Sequence, residues 1–309
     1  MASSIPTISK NGLVWLNVSK QSKENLSVIQ KRFGLLDQDV QESLPAVQRP
    51  KMIKRPHYYF VILHFPVFDR ETKRLGFAEV DFFLSSQFFI TIHNGKLDII
   101  QQFFKECESK SSSSDEYFSG SAAHLFLELL SRLSESIFPI LRHVNEDVDT
   151  IDQKLFSDIP DRMMAEEVLR LKTNIVSFRR TMQAHKTVLD RFVSEGGREL
   201  GLFSHQDYIY SLRESFNEIW HVLESAKESI NALHETNESL INLHTNDVMK
   251  TLTIISVVTF PLTLVATIFA IHAPGTPFVQ NELGFWIIFG IITIGGLAMV
   301  YLFKKRRWM

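Results

Sequence analysis

TLTIISVVTFPLTLVATIFAIHAPGTPFVQN, residues Thr251–Asn281, contains no Asp, Glu, Lys or Arg, and a second uncharged run, LGFWIIFGIITIGGLAMVYLF, follows at Leu283–Phe303. The chain then closes on Lys304-Lys305-Arg306-Arg307-Trp308-Met309. Roughly 20 apolar residues, rising about 1.5 Å each, cross a hydrocarbon core of about 30 Å. Two such runs separated by a short gap predict an α-helical hairpin through a membrane. All that precedes the hairpin is expected to be cargo on that anchor.

Working outward, the charge is asymmetric. The formal net charge is -2, but the tail Lys304–Arg307 carries four of the 33 Lys and Arg, leaving 29 against 35 Asp and Glu. An acidic body argues against nucleic-acid partners, which select basic surfaces, and fits attraction of cations. Cys107 is the only cysteine, so no intramolecular disulfide forms, as in a reducing compartment. Its neighbours Glu106 and Glu108 disfavour a thiolate. Met1–Lys10 lacks the apolar core of a signal peptide. The large soluble part is therefore expected to stay inside, as is the basic tail after the second span. That places both termini in the cytoplasm and only Ala273–Glu282 outside, with a bacterial inner membrane as the simplest location.

Residues 1–119 read as an α/β domain. Strand candidates are Leu13–Val18, Tyr58–Phe65, Glu79–Leu84 and Phe88–His93, rich in β-branched and aromatic residues. Helix-like patches lie at Lys23–Phe33 and Asp37–Ser43, and the serine-rich stretch Ser109–Ser114 marks a boundary. Residues 120–250 read as a helical stalk. Apolar positions recur every three or four residues from Leu133 through Ile137, Ile140, Leu141, Val144, Val148 and Ile151 to Leu155. Pro160 interrupts, and a second helix over about 161–195 stops at Gly196-Gly197. A third begins near His205 and meets no Pro or Gly before Pro261. The first span of the 251–309 membrane segment therefore continues a very long helix, and helices of that length bundle.

Within this helix Asn246, Met249, Thr253, Ser256, Phe260, Thr263, Thr267 and Ala270 share a 3–4 spacing among Val, Ile and Leu. Such a stripe has two readings. Small and hydroxylated residues pack helices against each other in membranes, and they also line pores.

Thr245-Asn246-Asp247-Val248-Met249-Lys250-Thr251-Leu252-Thr253-Ile254-Ile255, followed by Phe260-Pro261-Leu262-Thr263, resembles the pore helix of the CorA family of divalent-cation transporters. Trp15-Leu16-Asn17-Val18, Phe33-Gly34-Leu35, Gln48-Arg49-Pro50-Lys51, Tyr58–Leu63, Val80–Leu84 and Ile90–His93 resemble that family's cytoplasmic domain, in the same order. The resemblance covers nearly the whole chain. It implies a funnel-shaped homopentamer that moves magnesium, cobalt, nickel or zinc without hydrolysing nucleotide. It implies roles too. Asn246 is a polar ring at the cytoplasmic end, Met249 and Leu252 a hydrophobic constriction, and Thr263 a hydroxyl ring. Phe260 and Thr267 stand where the family has smaller residues, Gly in the latter case. Thr253, Ser256 and Ala270 complete the lining. Lys304, Lys305, Arg306 and Arg307 resemble the family's basic ring, and by charge alone they also contact anionic lipid.

The family's Gly-Met-Asn signature is replaced by Ala270-Ile271-His272. Magnesium keeps its water shell, which carbonyl oxygens suit. Imidazole nitrogen suits zinc, cobalt, nickel or copper, and a ring of imidazoles protonates near pH ~6.5. His272 is accordingly read as a helix cap, as a changed selectivity entrance and metal ligand, or as a mark of lost cation transport. Lost transport would leave a membrane scaffold or sensor; the uncharged outer mouth also admits a channel for another ion. Glu282 is the only carboxylate of the outer turn.

Glu135–Glu167 is acidic, which reads as a solvated helix face or, from the resemblance, as a cation-concentrating surface. Glu235 stands where the family has an acid at the neck and is a weak metal candidate. His57, His64 and His93 read as core or edge histidines; His221, His234 and His244 lie on the long helix. No phosphate loop, catalytic triad or Cys/His zinc cluster is present, so neither an enzyme nor a resident cofactor is expected.

Overall fold

The computed structural model describes residues 5–19, 22–44, 47–69, 71–109, 117–118, 121–157, 162–197, 199–271, 277 and 283–306. They form two units, Met1–His234 and Glu235–Met309.

The first unit holds a six-stranded sheet in the order β1 (Thr7–Lys10), β2 (Leu13–Val18), β6 (Phe88–His93), β5 (Arg74–Leu84), β4 (Tyr59–Asp69) and β3 (Lys51–Lys54). Only β2 and β6 pair in parallel; Val14 stands opposite Phe88 and Val18 opposite Ile92. The long β4–β5 hairpin keeps register from Tyr59 opposite Leu84 to Asp69 opposite Arg74. The central strands are apolar on both faces because helices cover both. On one face α1 (Lys23–Phe33), α2 (Asp37–Glu42) and the link between them place Leu26, Ile29, Val40 and Leu35 in one core with Leu16, Phe60, Ile62, Phe83 and Ile90. Ser22 caps α1 by accepting from the Asn25 N–H at 3.2 Å. Gly34 ends it at φ 65°, a left-handed position that glycine takes without strain.

The sheet's first strands are backed by α3 (Asp98–Glu108). Trp15 packs against its Phe103 and Phe104 and donates to the Thr91 hydroxyl at 3.2 Å. The other face meets α4 (Ala122–Glu135) and α6 (Arg162–Gly196). Phe126 of α4 joins the layers, its ring 5.1 Å from Phe82 and 4.8 Å from Phe192. Asn174 of α6 accepts from the Leu75 N–H and donates to the Lys73 carbonyl, fixing α6 on the start of β5.

The structure refines several expected elements. Strands β1 and β3 are four-residue edges whose short alternation gives no signal. The β4–β5 arms extend past Phe65 and before Glu79 into exposed hairpin. The apolar periodicity read from Leu133 to Leu155 spans two helices, the end of α4 and α5 (Phe138–Ser157). Pro139 sits in the first turn of α5, where its missing N–H costs nothing. Pro160, and residues 110–114 of the serine-rich stretch, lie outside the described residues. A short 3-10 turn, Leu202–His205, leads into α7, Gln206–Ala270, 65 residues unbroken through Pro261 and about 98 Å long at 1.5 Å per residue. The last helix, α8, is Gly284–Lys305.

Buried polar groups in the first unit are anchored or neutral. The Arg55 guanidinium grips Asp39 with two bonds of 2.5 and 2.9 Å, and the Tyr58 hydroxyl donates to the same carboxylate. Burial, then that bond, pushes the Tyr58 hydroxyl up to about 12. His93 bridges Asn17 Oδ1 and the Gly95 N–H, and burial lowers it to about 4. Cys107 is fully buried; burial first, then Glu106, raises its thiol to about 12, so it is inert packing.

Candidate functional site

In α7 the buried positions begin as Ile209, Leu212, Phe216, Ile219, Leu223, Ala226, Ile230, Leu233 and Asn237. Their spacing alternates strictly between three and four, the 3.5-residue period of a supercoiling helix. Past Asn237, Ile254 is the one buried residue of α7. α7 and α8 are the helices long and apolar enough to cross a membrane among the described residues. Large side chains such as Leu252, Phe260, Phe285, Trp286, Ile294 and Leu297 are exposed on them. Apolar surface of that extent needs a lipid or protein cover.

The second unit sorts α7 into two sides. Beyond Leu240 its buried or half-buried positions are Ile254, Val258, Leu262, Val265 and Phe269, with Ser256 as the exception on the far side. Leu262 meets α8 directly: a Cβ on Gly296 would stand 3.2 Å from Leu262 Cδ1, and one on Gly295 would stand 3.5 Å from Cδ2. Glycines let helices approach this closely. At about 100° per residue, Asn246, Met249, Leu252, Thr253, Ser256, Phe260, Thr263, Thr267 and Ala270 centre roughly opposite that side. All but Ser256 are exposed; Met249 is 57%, Leu252 58% and Phe260 73% accessible.

Along this stripe the hydroxyls spend their hydrogens on their own helix. Thr253 donates to the Met249 carbonyl at 2.7 Å, Ser256 to Leu252 at 2.9 Å, Thr263 to Thr259 at 2.8 Å and Thr267 to Leu264 at 2.9 Å. Each oxygen is left with acceptor capacity only. Pro261 brings no N–H to the carbonyl of Val257, yet the helix continues through it.

Other expected residues are more scattered. Glu235 is exposed on α7, and no group of three His, Cys, Asp or Glu able to hold a metal occurs among the described residues. Lys304, Lys305 and Arg306 are exposed at the end of α8. His272, Glu282 and Arg307 lie outside the described residues. His64 of β4 contacts Glu79, its cross-strand partner on β5, at 3.2 Å. The contact of Gly295-Gly296 with Leu262 is not among the sequence expectations; two adjacent glycines within an apolar span are its sequence signal.

An α/β unit on the same chain as a pair of exposed apolar helices makes this a two-span integral membrane protein. The family model for CorA-like Mg2+ transporter proteins matches residues 10–305, and the chain belongs to that family. It is 22% identical to the cobalt/magnesium transport protein CorA of Methanocaldococcus jannaschii, over 96% of this chain and 92% of that one. It is 20% identical to the protein of the same description from Thermotoga maritima, over 96% and 83%. The fold superposes on the complete structure of the M. jannaschii CorA magnesium transporter with a TM-score of 0.81, covering 98% and 94% of the two chains at 20% identity. On the full-length CmaX protein the TM-score is 0.74, covering 100% and 91% at 17% identity.

Proposed function

We propose that this chain is the protomer of a homopentameric channel for divalent cations, magnesium, cobalt, nickel or zinc, in a bacterial inner membrane with both termini cytoplasmic. One observation carries the reading: the stripe from Asn246 to Ala270 lies on the side of α7 turned away from its contact with α8. In a ring of five, that side faces the axis and α8 stands outside.

The chemistry follows from what a hydrated cation presents. Waters around a divalent ion point their hydrogens outward, and small ions shed those waters reluctantly. A wall for such an ion needs acceptors. Thr253, Ser256, Thr263 and Thr267 supply them, because their own hydrogens are held by backbone carbonyls. Asn246 adds a carbonyl at the cytoplasmic end. Met249 and Leu252 add no polar atom, and a narrow ring of them closes the path by excluding water. The acidic body concentrates cations near the mouth, and Lys304–Arg307 hold the second span against anionic lipid. Imidazole at His272 shifts preference toward zinc, cobalt or nickel.

The test is flux into liposomes of the purified protein for Mg²⁺, Co²⁺, Ni²⁺ and Zn²⁺, on either side of pH ~6.5, beside His272→Asn and Met249→Ser. Expected are divalent flux, a faster basal rate in Met249→Ser, and movement toward magnesium in His272→Asn. Absence of divalent flux in all three proteins overturns the channel and leaves a scaffold or another ion. Unchanged selectivity in His272→Asn removes only the role of the imidazole.

A further inference from the structure

A cleft of about 510 Å³ opens in the first unit where the β4–β5 hairpin meets α6, well within the size range of small-molecule sites. A second space of about 430 Å³ adjoins it, sharing Leu75 and Ser177. Arg49 and Arg180 line the first, and Arg74 and Arg170 the second. None of these four guanidiniums has an ion-pair partner among the described residues. In a body with excess acid, four unpaired guanidiniums around one opening ask for an anion. Arg179, one residue away on α6, is by contrast paired with Glu224.

The first cleft also has an aromatic wall. Phe77 is 41% exposed, and one face of its ring stacks on His64 with centroids 4.5 Å apart and planes at 20°. His64 is fixed in turn by Glu79, whose carboxylate also takes the Gln48 N–H at 2.7 Å. That bond and Pro50 hold the segment carrying Arg49 in place. Ser177 lines both spaces, which places a hydroxyl where they meet. Thr181 donates to the Ser177 carbonyl, so it accepts only. The single carboxylate in the lining, Glu166, sits at the far end of the second space.

We propose that this cleft binds a nucleoside polyphosphate, with the planar base against Phe77 and the phosphates along Arg49, Arg180 and Ser177 toward Arg74 and Arg170. Guanidinium forks match phosphate oxygens in pairs. An exposed ring already backed by His64 offers a base a stiff stacking surface. A bare metal ion finds no carboxylate cage here, and an apolar ligand would leave the guanidiniums unpaired. The site is independent of conduction through the membrane segment.

Nucleotide chelates magnesium, so ion flux is an unsuitable readout and binding must be measured directly. The probe is a fluorescent ATP analogue, followed by anisotropy on the full-length protein in detergent and competed by ATP, tripolyphosphate and adenosine. ATP is expected to compete best. Arg49→Glu with Arg180→Glu is expected to weaken it about tenfold or more, which corresponds to about 1.4 kcal/mol. Phe77→Ala is expected to weaken ATP while leaving tripolyphosphate unchanged. Arg142→Glu, an exposed charge reversal on α5, is the control and is expected to change nothing. No saturable binding at millimolar ATP overturns the proposal. So does equal competition by tripolyphosphate and ATP, or loss in Arg142→Glu as large as in the cleft variant.

Discussion

Replacing Asp81 by Asn tests the buried centre of the sheet. Asp81 stands on β5 opposite Ile62 and Ile92 and is 0% exposed. Burial, followed by the negative charge of Glu79, holds its carboxyl well above the usual carboxylate range. The folded protein therefore keeps a proton that the unfolded chain releases near pH ~3.9. With more protons bound in the folded state, stability is full below pH ~3.9 and falls as pH rises toward the raised value. The slope is about 1.36 kcal/mol per pH unit for one proton. Each pH unit between the unfolded value of ~3.9 and the raised folded value therefore removes about 1.4 kcal/mol, or roughly 3–6 °C in Tm for a domain of this size. Asn has nearly the same shape and cannot ionise. Its unmatched amide adds a cost of about 1–3 kcal/mol that does not vary with pH. Glu106, Glu199 and Glu224, whose acidities are shifted the opposite way by Arg132, Lys54 and Lys227, are present in both proteins and cancel in the difference. Thermal melts of wild type and Asp81→Asn across this range should show the variant gaining on wild type as pH rises. A difference flat in pH would refute the account of Asp81 as a neutral acid.

Gly296→Leu forces side-chain atoms into the space of Leu262 Cδ1 and should destabilise the hairpin by about 1–3 kcal/mol. Adding Leu262→Ala should restore part of that loss in detergent melts, and strict additivity of the two changes would remove the contact. Cys107, with its thiol raised to about 12 inside the core, should resist maleimide in the folded protein and react once denatured; labelling under native conditions would contradict its burial. Phe126→Ala should cost about 3–5 kcal/mol, since the ring is buried where α4, α6 and the sheet converge; a melt unchanged from wild type would mean those layers are not joined there.

The membrane hairpin is legible because thirty-one consecutive residues without charge, Thr251–Asn281, admit few other solutions. The length of α7 is legible from the absence of Pro and Gly between His205 and Pro261, and the structure carries the helix through the proline as well. The centres of β4, β5 and β6 stand out as apolar runs, whereas the hairpin arms around Asp69 and Arg74 do not. There the pairing continues beyond the covered core, and solvent-exposed strand loses its pattern. The division at Ser136–Ile137 is hidden because Leu133, Ile137 and Leu141 keep helical spacing across it. The hydroxyl stripe of α7 is legible as a face, whereas the position that packs on α8 is not, because Val, Ile and Leu dominate the rest of the span and the Leu262 contact with Gly295-Gly296 is what picks it out. The expectation of a pentamer rests on family resemblance, since no periodicity within one chain encodes a symmetry number.

The hydroxyl stripe of α7 has one more consequence. Because Thr253, Ser256, Thr263 and Thr267 each hand their hydrogen to a backbone carbonyl, the wall is a lattice of lone pairs with no mobile hydrogens. An anion approaching these four side chains meets their lone pairs and no hydroxyl donor. A proton hopping along a file of water would find no hydroxyl ready to accept one hydrogen while passing on another. The same four bonds that satisfy the hydroxyls within the helix thus leave their oxygens turned out as acceptors, the side a water oriented around a positive centre presents its hydrogens to.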